Sequence, residues 1–163
     1  MGLREKLQQF KGTEPAPVDW EAEKEKWLVS VRELFNQIQT WLSDLVNEGL
    51  LKITESEIMV VEEDIGRYMV PKLEIGFAGR CALLEPVGTN IALCDGRVDF
   101  FLRGQNTKGY MLILSREYGI DNWIRIGRVI RGEPVQFNKE VMENALEKWI
   151  DHQFVVRKKR PGF

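Results

Sequence analysis

Between Asp19 and Gly49 the apolar residues fall at the three- and four-residue spacing of an amphipathic helix. Trp20, Trp27, Leu34 and Trp41 recur every seven residues, Val31, Ile38 and Leu45 fill the intervals, and Leu28, Phe35 and Leu42 widen the stripe. Asp19 reads as the N-cap, Glu21, Glu23 and Glu25 suit the positive end of the helix dipole, and Gly49 supplies a left-handed terminator. The pattern predicts one helix over 19–49, about 45 Å long. So wide a stripe suits packing on a sheet; its heptad recurrence gives self-association, through the helix or through an exposed sheet face, as the alternative.

After Gly49 the period becomes that of strands. Strands are predicted at 50–53, 58–63 (IMVVEE), 68–77, 81–86, 91–94, 98–103, 110–115 and 123–130. Pro71 restricts its segment to a strand start, an edge or a bulge. Asp95-Gly96 has the sequence of a two-residue type I′ turn, GQNTKG at 104–109 makes a longer loop, and the glycines at 76 and 79 mark a bulge or turn. Short turns without intervening helical patterns imply an antiparallel meander.

A last helix is expected over 138–152, with Asn138 as N-cap and Val141, Met142, Ala145, Trp149 and Ile150 on its apolar side. At the other end, residues 1–12 suit a short helix with Leu3, Leu7 and Phe10 on one side, followed by an extended connector through Pro15, Pro17 and Val18. Residues 153–163 read as a tail. The expected fold is one α+β domain spanning 1–163: a long N-terminal helix packed on an antiparallel meander sheet of about six or seven strands, closed by a C-terminal helix.

If Arg103 faces Tyr110 across the 104–109 loop, Val98, Phe100 and Leu102 share a face with Met111 and Ile113. The opposite face then carries Arg97, Asp99, Phe101 and Arg103 with Tyr110, Leu112 and Leu114. Both faces are partly apolar, which predicts a central hairpin covered on both sides.

The net charge of -2 conceals an asymmetry: through Ile65 the chain carries seven basic and fourteen acidic residues, and from Gly66 onward sixteen and eleven. Such a division can position a partner. No apolar run reaches the ~20 residues of a membrane span, and the N-terminus lacks the apolar centre of a signal peptide, so a cytoplasmic protein is expected. Cys81 and Cys94, the only cysteines, read as small buried hydrophobes in a reducing compartment.

The richest polar group lies on β-period positions. Arg97, Asp99 and Arg103 share a strand face, with Arg80, Arg125, Arg128 and Arg131 at nearby strand ends or interiors. A carboxylate held among guanidinium groups can grip a polar ligand or satisfy itself structurally. The candidate ligand-binding set is Arg97, Asp99, Arg103, Arg125 and Trp123, the last as a stacking platform. Glu62, Glu63 and Asp64 are adjacent but lack the spaced ligands of a calcium loop. Neither cysteine is brought to His152, the single histidine, by any recognisable motif. No phosphate loop, dinucleotide fingerprint, nucleophile elbow or zinc motif is present, and no cofactor or metal is expected.

These observations favour a non-catalytic cytoplasmic protein-interaction module of an immunity-like, chaperone-like or adaptor kind. One alternative is a small anionic-ligand binding protein using the arginine-rich sheet face. Another is nucleic-acid binding by the basic sheet and the RKKR run at 157–160, which the sequence pI of about 5.6 and the acidic long helix oppose.

Overall fold

The computed structural model describes residues 2–11, 17–89, 95–105, 108–116, 122–127 and 133–158, with the side chains of Phe10 and of 152–158 excepted. The predicted strand at 91–94 with Cys94, the arginines 128 and 131, Pro15 in the connector, the His152 side chain and the end of the tail lie outside the described residues.

The fold is α+β. Among the described residues, helices α1 (Leu3–Phe10), α2 (Trp20–Trp41) and α3 (Ser43–Asn47) precede seven strands, and α4 (Lys139–Lys158) follows them. The strands are β1 (Lys52–Glu62), β2 (Gly66–Phe77), β3 (Arg80–Gly88), β4 (Gly96–Leu102), β5 (Tyr110–Ser115), β6 (Asn122–Gly127) and β7 (Val135–Gln136). They form one sheet in sequence order with every neighbour antiparallel, the expected meander.

Helix α2 begins as its sequence demands: the Asp19 carboxylate accepts from the Ala22 amide at 3.1 Å. Trp27, Leu28, Val31, Leu34, Phe35 and Ile38 are buried along one stripe. The single helix predicted over 19–49 is corrected, however, because regular geometry stops at Leu42 (φ -99°, ψ 4°) and α3 begins at Ser43. The Thr40 hydroxyl donates to the Asn36 carbonyl and the Ser43 hydroxyl to the Thr40 carbonyl, so side chains compete for the acceptors of the last turn. Gly49 does end the helical region: at φ +76° it donates to Val46 O, while Leu50 N reaches back to Leu45 O at 2.9 Å.

The segments read as separate strands at 50–53 and 58–63 are one strand, β1, at the edge of the sheet. Pro71 lies inside β2, yet without conflict. It faces Glu57 of β1 and precedes Leu73, the first β2 residue paired with β3, so β2 is locally an edge there. The buried positions also change phase at Pro71, from Tyr68 and Val70 to Leu73, Ile75 and Phe77, while the pairing with β1 runs on unshifted. The β1–β2 ribbon therefore presents opposite faces to the core along its length.

Of two turns read from the sequence, one forms as expected and one does not. The β2–β3 hairpin closes on Ala78 (φ 48°) and Gly79 (φ 72°), both left-handed, as a two-residue turn between paired Phe77 and Arg80. Gly96, read as a turn residue, is instead the first residue of β4 and pairs with Leu114; a Cβ there would run into the ring of Trp27.

The inner face of the sheet carries Val98, Phe100 and Leu102 beside Tyr110, Leu112 and Leu114, with α2 and α4 packed over it. This corrects the face assignment of the hairpin, because Tyr110 pairs with Phe100 and not with Arg103. The three-residue difference is odd, so it exchanges the two faces of β5. Gly109 sets the register by lying against the backbone of Phe100 and Phe101, where no side chain fits. Asn138 caps α4 through the Val141 amide at 2.9 Å. The helix buries Met142, Ala145, Leu146 and Trp149, then continues past the predicted end at His152 into the segment expected to be tail.

Candidate functional site

Alternation along β4 sends Arg97, Asp99 and Phe101 to the outer face of the sheet, away from α2 and α4. Arg97 and Asp99 grip one another: Nε to Oδ1 is 2.7 Å and Nη2 to Oδ2 is 3.2 Å, the two-pronged geometry in which a guanidinium satisfies a carboxylate. Arg103, at the end of the same strand, donates to Glu74 Oε1 at 3.2 Å. Lys72 lies 3.3 Å from Glu74 and 3.8 Å from Glu85. Three cations and three carboxylates thus offset one another on this face, around the buried pair Leu83 and Phe101.

Arg125 and Trp123 are elsewhere. They pair with Leu112 and Leu114, which fixes them on the inner face. Trp123 is only 7% exposed and its ring lies 6.1 Å from that of Trp27, so it is part of the core. The Arg125 guanidinium sits over the Tyr110 ring at 4.7 Å, with its Nε buried. The five residues singled out from the sequence therefore divide between two sides of the sheet, three outside and two inside, and do not surround one ligand.

An open notch of about 550 Å³ lies beside Arg103, between the β2–β3 turn and the β4–β5 loop, where Arg80, Cys81 and Gln105 also contribute. Partial burial pushes the Cys81 thiol up, away from the reactive thiolate. The acidic trio does not converge either: Glu62 turns inward, taking the Thr89 amide on Oε1 at 2.9 Å and the Tyr68 hydroxyl on Oε2, while Glu63 and Asp64 are exposed. Among the described residues no group of three or more acidic, histidine or cysteine side chains could hold a metal ion.

A different surface stands out at the tip of the β1–β2 ribbon. Met59 pairs with Met69 and Val61 with Arg67, and the three apolar side chains are 59%, 46% and 67% exposed in the order Met59, Met69, Val61. Glu55 and Glu57, both exposed, precede them on the same face of β1, and Glu63 and Asp64 follow at the turn. Behind Glu55 and Glu57 a groove of about 320 Å³ runs to Pro71 and to Arg32 of α2. The signal for this patch was present in Ile58–Val61, four consecutive apolar residues. On an edge strand such a run must send apolar side chains to both faces, of which only one meets the core.

No helix of the described residues is long and apolar enough to cross a membrane. Comparison with protein-family models, with curated proteins and with solved structures finds no match to this chain.

Proposed function

We propose that this chain is a non-catalytic protein-interaction module, working in the cytoplasm, that engages its partner through the tip of the β1–β2 ribbon. The observation that carries this reading is the cross-strand cluster of Met59, Val61 and Met69, held open on an edge strand and bordered at both ends by carboxylates. Apolar side chains ringed by charge are the arrangement that protein interfaces share, and methionine adapts its shape to a partner surface. The free thiol of Cys81 suits a reducing compartment. Ligand binding on the outer face has less support, since its arginines already have carboxylate partners.

The test is a photo-crosslinking residue at position 61, activated in the cells that make the protein, with the same residue at exposed Val135 as the control. A discrete adduct at 61, absent at 135 and lost when Met59 and Met69 are changed to glutamate, is the expected result. Equal labelling at both positions would refute the reading.

A further inference from the structure

The described residues hold a second open apolar surface. Leu3 and Leu7 of α1 are 74% and 61% exposed, one above the other on one side of the helix. Around them stand Arg4, Lys6 and Lys11 against Glu5 alone, so α1 is a basic amphipathic helix in a chain whose N-terminal half is otherwise acidic.

The two surfaces match in chemistry and spacing. Leu3 and Leu7 lie about 6 Å apart along the helix, and Met59 and Val61 about 7 Å apart along the strand. The apolar tip is bordered by Glu55, Glu57, Glu63 and Asp64 with Arg67 as the opposing charge, and the helix brings a net positive charge to it. Both surfaces are open within one chain, with every one of these apolar side chains more than 45% exposed. Among the described residues nothing covers either surface, which leaves both open to a partner outside the chain.

We infer that α1 of one copy docks on the β1–β2 tip of a second copy, and that the exchange is reciprocal, giving a closed two-fold dimer. The inference rests on the reading of the tip as an interaction surface and names its partner. In such a dimer each helix lays Leu3 and Leu7 over Met59, Val61 and Met69, and its basic residues face the acidic border. Reciprocity doubles a small contact and uses both surfaces of each chain, so the assembly closes without leaving one to recruit a third copy. An eight-residue helix buries little area, so the dimer is weak and dissociates on dilution.

Native mass spectrometry over a concentration series tests this with two full-length variants, Leu7→Glu and Val61→Lys. Both positions are exposed, and circular dichroism checks that each variant keeps the wild-type fold. The wild type should form a dimer, and each variant alone should lose it by about tenfold or more in dissociation constant. The two variants mixed should recover a heterodimer, because the intact helix of Val61→Lys meets the intact tip of Leu7→Glu. A wild type that stays monomeric throughout, a dimer indifferent to Leu7→Glu, or a mixture that fails to pair would each overturn the inference. The wider reading fails separately: a position-61 crosslink to a protein of different mass would overturn α1 as the occupant and retain the tip as an interface, whereas labelling no different from position 135 would remove both.

Discussion

Tyr68 and Glu62 show how one polar contact can fasten an edge ribbon to a sheet. The Tyr68 ring is 8% exposed, and its hydroxyl donates to the carboxylate that also takes the Thr89 amide, so β1, β2 and the end of β3 meet at Glu62. Burial first, then the hydrogen bond to Glu62 and the charge of that carboxylate, raise the Tyr68 pKa above its ordinary value of 10.0. The unfolded chain releases this proton near pH 10 and the folded chain only at higher pH. Above pH 10 the unfolded state therefore binds fewer protons, and stability falls as pH rises; below it the contribution is fully present. Urea unfolding at pH 9 and pH 11 should show a loss of about 1.4 kcal/mol between the two that is absent in Tyr68→Phe. At neutral pH the same variant should cost about 1–2 kcal/mol, because Glu62 loses a donor where solvent replaces it poorly. Gly96 makes a steric counterpart. Gly96→Ala pushes a methyl group into the fully buried Trp27 ring and should lower stability by about 1–3 kcal/mol in the same assay.

At the scale of elements, Gly49 separates backbone conformation from packing. Its φ is +76° and a Cβ there would meet nothing within 4 Å, so Gly49→Ala carries only the cost of a left-handed residue, about 1 kcal/mol. Gly49→Asn should recover much of that, as measured by the midpoint of chemical unfolding, because asparagine tolerates this region. The N-termini of α2 and α4 were legible because caps and stripes are local: Asp19, Asn138 and the apolar spacing each act within a turn or two. The antiparallel meander followed from apolar runs joined by short turns, whereas the two-residue β7 had no such run to announce it. The faces of the β4–β5 hairpin were not legible, since they depend on how Gly109 packs against Phe100 and Phe101, a contact that loop length does not encode. That one register decided the candidate site. It left Arg97 and Asp99 as a self-satisfied pair outside, as two-residue spacing allowed, and β5–β6 pairing carried Arg125 and Trp123 inside.

Across the whole molecule, the helical layer lies on one side of the sheet, and Phe100 is where its parts meet. Its ring lies 4.9 Å from Trp149 of α4, 6.1 Å from Phe137 after β7 and 6.1 Å from Tyr110 of β5, while Trp41 of α2 reaches Phe137 at 5.7 Å. Truncating such a residue leaves a cavity bounded by rigid rings that cannot collapse into it. Phe100→Ala should therefore cost about 3–5 kcal/mol, a large share of the ~5–15 kcal/mol that holds a typical domain folded. Removing residues 2–11 is the contrasting experiment, because α1 leaves Leu3 and Leu7 to solvent. Measured at a concentration where the chain is monomeric, that truncation should change the unfolding free energy by no more than about 0.5 kcal/mol. A loss comparable to that of Phe100→Ala would mean that α1 rests on the core of its own chain, and the leucines would then be unavailable to a second copy.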